Sequence, residues 1–211
     1  MTTAGQRMVV LRDDAVTRAV VLIGLGWLLV AVALSAVGVV RAARPLGPPL
    51  MIVGLAAAIL VAARLLPAFR EWLFRIDERW FLGLHLTRFV GAYFLYLYGR
   101  GELPYAFAVP GGWGDIIVAS LAATLLLAGS PRDARRRSAY VIWNALGFVD
   151  IVFVLVTAAR LIVTDPESMA ALLRLPLSLL PTFLVPLIVA SHIVLGIRLA
   201  RRPGASSAGP S

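Results

Sequence analysis

The sequence predicts an all-α fold, an integral membrane bundle of about six transmembrane helices with both ends in the cytoplasm. Three observations predict it. Of the 211 residues, 60% are hydrophobic and only 15% are charged, whereas a soluble domain carries roughly 25% charge; the mean hydropathy is +0.89. The apolar residues gather into runs near the ~20 residues that a ~30 Å hydrocarbon core requires. The arginines cluster between those runs, densely on one side and sparsely on the other, as the positive-inside rule describes.

The runs fall at about 19–40, 49–66, 80–99, 112–129, 138–159 and 176–197. They divide the chain into a cytoplasmic segment at 1–18, a transmembrane domain at 19–199 and a small, polar tail at 200–211 expected to be disordered. The first run follows Arg7, Arg12 and Arg18 as a signal peptide would, but it exceeds the 7–15 residues of a cleaved apolar region, so it reads as an anchor. Between the second and third runs, Arg70 to Arg79 alternates charge with Trp72, Leu73, Phe74 and Ile76, the pattern of a helix lying on the membrane surface. Between the fifth and sixth, Thr164, Asp165, Pro166 and Glu167 read as a helix start, predicting a short helix over 167–175.

Orientation follows from arginine placement. One side receives Arg7, Arg12 and Arg18, then Arg64, Arg70, Arg75 and Arg79, then Arg132 and Arg135 to Arg137, then Arg198, Arg201 and Arg202. The other receives Arg41, Arg44, Arg100, Arg160 and Arg174. The first set is expected in the cytoplasm of a cell, facing anionic lipid headgroups. Lysine is absent, which with the abundance of arginine and alanine hints at a GC-rich bacterial genome and hence a bacterial plasma membrane. The net charge of +9 would suit nucleic acid, but its confinement to the ends of apolar runs points to lipid instead.

Cysteine is absent, which excludes disulfides, thiolate metal sites and thiol nucleophiles. No zinc-protease helix, nucleotide-phosphate loop, dinucleotide fingerprint or serine nucleophile elbow is present, so enzyme chemistry has no positive support.

Ionisable groups inside apolar spans are costly and tend to face a protein interior, which makes them the best functional clues. Here they are His85, Arg88, Asp115, Asp150 and His192, with the polar Asn144. His85, Asn144 and His192 all fall about 8–9 Å inside the arginine-rich boundary at 1.5 Å per residue. Arg88 shares a helix face with His85, and Asp150 lies at a depth Arg88 can reach, predicting an ion pair between the third and fifth helices. His85, Arg88, Asn144, Asp150 and His192 therefore form a candidate intramembrane polar site, for proton-linked transport or small-ligand binding. No cofactor is predicted outright; the one candidate is a b-type haem held by His85 and His192. A third reading is an accessory subunit whose polar residues only lock packing.

The stretch from Gly99 to Asp115 holds Glu102 and, near its end, Gly111, Gly112 and Gly114. It predicts an irregular outer loop with Asp115 in the first turn of the fourth helix, serving either as a cap or as a binding mouth. Pro181 and Pro186 predict a kink in the sixth span, its freed carbonyls served by Ser178, Thr182 and Ser191.

RFVG at 88–91, GELP at 101–104, FAVP at 107–110, Gly114 with Asp115, WNALG at 143–147 and Asp150 together resemble an uncharacterised family of bacterial multi-pass membrane proteins. The resemblance runs from Arg88 to His192, about half the chain. It implies a shared helical membrane fold and a shared polar centre, and it transfers no catalytic residue.

The full polypeptide is expected to leave the membrane only with detergent. Monodisperse behaviour in plain buffer would overturn the fold class.

Overall fold

A 33-residue helix, α1 (Ala4–Ala36), opens the chain and stops at Gly38, whose φ of 79° lies in the left-handed region that glycine tolerates. The computed structural model describes residues 4–43 and 45–201, and side chains from residue 14 onward; Arg44, Arg202 and the tail expected to be disordered lie outside the described residues. One turn, α2 (Val39–Ala42), leads to α3 (Gly47–Leu65), which starts with Pro48 and Pro49 where missing N–H groups cost nothing. Then come α4 (Pro67–Arg75), α5 (Glu78–His85), α6 (Gly91–Gly99), α7 (Tyr105–Ala128), α8 (Ala134–Thr164) and α9 (Val185–Arg201). Among the described residues, five segments are long and apolar enough to cross a membrane: Asp14–Ala36, Gly47–Leu65, Tyr105–Ala128, Ala134–Thr164 and Leu180–Arg201.

The expected third span is not one α-helix. It runs as α5, a 3₁₀ segment over Leu86–Val90, and α6. In 3₁₀ geometry residues i and i+3 eclipse, so His85 and Arg88 are driven the same way into the protein.

The expected irregular loop before the fourth span is also corrected. The α7 helix begins at Tyr105, behind Pro104, and continues through Pro110 and all three glycines. Asp115 is therefore no cap: it sits roughly three turns inside the helix at 3.6 residues per turn. The glycines are there for close approach. A Cβ at Gly91 would strike the Gly112 carbonyl and the Asp115 side chain, and one at Gly112 would lie 2.8 Å from the Gly91 carbonyl. The backbones of α6 and α7 touch, as small residues permit between membrane helices.

The expected helix over 167–175 is instead turns with a 3₁₀ segment at Ala170–Leu173, its polar start taken up by Ser168 bonding back to Asp165. The expected surface helix is α4, ended at Ile76 before Asp77 caps α5 through the Arg79 N–H.

Before α9 the helix widens into a π turn, Leu180–Leu184. Pro186 has no N–H for the Thr182 carbonyl four residues back; Trp27 Nε1 of α1 supplies that donor at 2.8 Å. The Thr182 hydroxyl bonds the Ser178 carbonyl, and Ser191 bonds that of Ile188. Ser178 and Thr182 are both buried, so the device is internal to the bundle.

Beside a small apolar cluster of Ile151, Val185 and Ile188, two larger ones form the interior. One, toward the arginine-rich end, centres on Leu82, Tyr140, Trp143 and Leu195. The other, toward the opposite end, centres on Phe94, Phe107, Met169 and Leu172. The first is clamped by buried Arg198 of α9, which donates to the Leu73 carbonyl at 2.9 Å and to Glu78 of α5 at 2.7 Å, its guanidinium also facing Phe81. The polar groups lie between the clusters.

Gly91→Ala is expected to destabilise the protein by about 1–3 kcal/mol, the usual cost of overpacking. Gly83→Ala, which meets no atom within 4 Å, should be neutral or slightly stabilising. Unfolding titrations in mixed micelles measure both, and equal behaviour of the two variants would refute the close-crossing account.

Candidate functional site

Arg88 is 1% exposed and held by the 3₁₀ segment between α5 and α6. A buried guanidinium has five N–H donors that seek acceptors, and three of them are met by hydrogen bonds here. Its Nε donates to Asp115 Oδ1 of α7 at 2.6 Å, its Nη1 to the Gly147 carbonyl of α8 at 3.1 Å, and its Nη2 to Asp150 Oδ2 of α8. Asp115 is the partner that sequence reasoning placed elsewhere; the signal that could have found it is Gly91 with the GGWGD run, small residues that let α7 come close. Gly114 serves the same end, because a Cβ there would overlap the Asp150 carboxylate.

The side chains of Arg88, Asp115 and Asp150 are 1%, 6% and 18% exposed. Asp150 is thus the member in contact with the surroundings. The three carry a formal charge of −1 when both carboxylates are ionised and zero when they share one proton.

One turn away stand the histidines, 0% and 1% exposed, with ring centroids 4.3 Å apart. Their tautomers follow from their partners. Ser191 spends its proton on the Ile188 carbonyl at 2.8 Å, so its oxygen accepts from His85 Nε2–H at 3.0 Å. The His192 carbonyl can only accept, so the Asn144 amide nitrogen faces it at 3.1 Å. Asn144 Oδ1 then faces His192 Nδ1 at 3.0 Å, and that nitrogen carries the proton. His85 Nδ1 and His192 Nε2 remain without a partner, although buried. Gly147 leaves the space for this arrangement: a Cβ there would lie 2.7 Å from His192 Cε1 and 3.1 Å from Nε2. Its carbonyl is the one that Arg88 holds, so one residue of α8 adjoins both halves of the site.

Trp143 walls the pair, its ring edge-on to His85 at 4.9 Å and its Nε1 bonded to the Val118 carbonyl. Toward the arginine-rich end, a groove of about 590 Å³ between α8 and α9 reaches Asn144 past Arg137 and Ser138.

The structure thus brings His85, Arg88, Asn144, Asp150 and His192 into one cluster and adds Asp115, Ser191 and Gly147. Glu102 stays outside, in an exposed pair with Arg100 at 2.7 Å; that hydrogen bond raises the Arg100 guanidinium above its ordinary value.

The family comparison covers this whole cluster. Residues 45–200 match the family described as Domain of unknown function (DUF8737). The chain belongs to that family. No curated protein and no solved structure matches it. The DUF8737 region begins just before α3 and ends in α9, so it contains every residue of the site and leaves out α1.

A haem does not fit the histidines as they stand. An iron between them would need the rings to part and a macrocycle to enter where they now touch each other and Trp143. Among the described residues, no group of three or more His, Asp or Glu side chains gathers as a metal site.

Arg88→Gln strands the buried Asp115 and the half-buried Asp150 and is expected to cost about 3–5 kcal/mol, the scale for breaking one side of a buried ion pair. The triple variant Arg88→Met, Asp115→Asn, Asp150→Asn should recover most of that loss. Thermal unfolding in detergent measures both, and a harmless Arg88→Gln would refute the pairing.

Proposed function

We propose that this chain is a six-span protein of a bacterial plasma membrane, N-in and C-in, with anionic lipid headgroups at its arginine-rich face, and that its interior binds and releases a proton in the service of small-ligand transport or binding. The composite α5–3₁₀–α6 segment, third in chain order, supplies the span beyond the five long helices. One observation carries the functional reading: a single guanidinium stands against a buried and a half-buried carboxylate, one turn from two imidazoles that each keep an unpartnered nitrogen. Buried polar atoms without partners are rare in folded proteins and ask for an explanation. A proton is the one ligand small enough for rings already in contact.

The groups form a column. It starts at the groove beside Arg137, passes through Asn144 to His192 and His85, and ends at Arg88 with Asp115 and Asp150. Each imidazole can take up a proton on its bare nitrogen, His85 on Nδ1 and His192 on Nε2. The carboxylates at the far end are a second acceptor, where proton uptake takes the formal charge from −1 to zero.

A packing role for the same residues has its own support, because Arg88 ties the third span to α7 and α8. Infrared difference spectra between acidic and alkaline buffer separate the readings. Proton binding predicts a titrating carboxylic-acid carbonyl band that disappears in Asp115→Asn or Asp150→Asn, and histidine ring bands lost in His85→Phe. A packing centre predicts none of these, and their absence from the folded wild-type protein would defeat the proposal.

A further inference from the structure

The groove between α8 and α9 carries an unanswered charge. Arg137 on its wall donates through Nη2 to the Leu199 carbonyl at 2.8 Å, so its guanidinium bridges the two helices. No carboxylate completes the contact. Asp133, the acid nearest in sequence, accepts from the Arg136 N–H at 2.8 Å and pairs with the Arg136 guanidinium at 3.4 Å. Among the described residues Arg137 has no ion-pair partner, and its Nε is buried without an acceptor. No acidic residue lines the groove. Arg137 also stands in the first turn of α8, the positive end of the helix dipole, where a cation is disfavoured unless an anion joins it.

From that charge the groove runs into apolar depth. It follows one face of α8, where Arg137, Val141 and Ala145 are a turn apart, and α9 leaves it open because Gly196 and Ala200 are small. Arg137 and Ala145 are separated by about 12 Å along the helix at 1.5 Å per residue. Val141 and Ile142, on its wall, are 43% and 58% exposed, a surface that bilayer lipid covers. Asn144, at the inner end, commits both ends of its amide to His192. A cation at the membrane surface leading into an apolar furrow matches a phosphate that carries an acyl chain. A soluble phosphate would use the first part alone.

We propose that this groove binds one anionic phospholipid of the leaflet at the arginine-rich end, its phosphate on the Arg137 guanidinium and an acyl chain along Val141 and Ala145. The guanidinium has donors beyond the one given to Leu199, in the planar fork that suits phosphate oxygens. Arg132 and Arg135 stand exposed close by in sequence and repel the ammonium of a zwitterionic head, so a net negative head is selected. The proposal rests on the membrane reading above, whose general attraction for anionic headgroups it narrows to one site. It does not depend on the proton reading.

The test uses the full chain in lipid nanodiscs and two photoreactive lipids, phosphatidylglycerol and phosphatidylcholine, each with a diazirine midway along one acyl chain. Phosphatidylglycerol is expected to label peptides covering 141–146 and 195–200 about fivefold more than phosphatidylcholine, the effect of one basic residue on an anionic headgroup. Excess inorganic phosphate should leave that labelling in place. Arg137→Gln should remove the preference, whereas Arg135→Gln, at an exposed position outside the groove, should keep it. Ala145→Phe, which fills the furrow at an exposed position and leaves Arg137 untouched, should suppress labelling by both lipids. Equal labelling by the two lipids, equal effects of the two arginine variants, or labelling unchanged in Ala145→Phe would each overturn the proposal. Loss of labelling to inorganic phosphate would assign the site to a soluble anion and overturn the lipid as its occupant. A chain that failed to enter the nanodisc would overturn the membrane reading together with this site, whereas failed comparisons in an inserted chain would overturn the site alone.

Discussion

A guanidinium removed from water must find acceptors in fixed directions, and the rest of the interior is arranged to meet that demand for Arg88. Its acceptors come from two helices, Asp115 of α7 and both Gly147 and Asp150 of α8. Each contact sets a distance between elements. The α7 helix comes near only because Gly91 and Gly112 let backbones touch, and Asp150 fits only because Gly114 has no side chain to displace it. The 3₁₀ stretch turns Arg88 and His85 to the same side. The 3₁₀ stretch and the close glycine contacts thus have a common cause.

Such a centre is affordable in an apolar chain because its cost is spread over long helices. An Arg or Asp at mid-membrane costs about 2.5–3.5 kcal/mol on insertion scales, while each large apolar residue returns about 0.3–0.6 kcal/mol. The α8 helix has 31 residues with a mostly apolar run around Asp150, so the helix inserts and the charge finds its partner on assembly. Two apolar clusters then enclose the polar layer from either end, and the Arg198–Glu78 clamp closes the arginine-rich one. The prolines of the last span follow the same rule. Lipid offers no hydrogen bond to a freed carbonyl, so Trp27 of α1 donates one.

Much of the candidate site was legible in the sequence, because an ionisable residue in an apolar run announces itself. His85, Arg88, Asn144, Asp150 and His192 were all visible that way, and counting residues placed them at compatible depths. Asp115 was equally visible, yet the neighbouring glycines read as a loop and its role went astray. Glycine permits both irregular backbone and close helix contact, and composition does not say which is in use. Ser191 and Gly147 gave no sign of a place in the polar site: a serine serves as an ordinary helix hydroxyl, and a glycine in a motif becomes significant there only when an imidazole lies against it.

By itself the sequence determined the all-helical class, the apolar segments and the roster of buried polar groups, since these depend on hydropathy and period along one chain. Tertiary structure decided which groups meet, which nitrogen of each histidine bears the proton, and where α5 gives way to 3₁₀ geometry before α6. The reason is directional. Hydropathy sums over a segment without regard to its neighbours, whereas a hydrogen bond depends on the position and angle of a partner that another helix supplies.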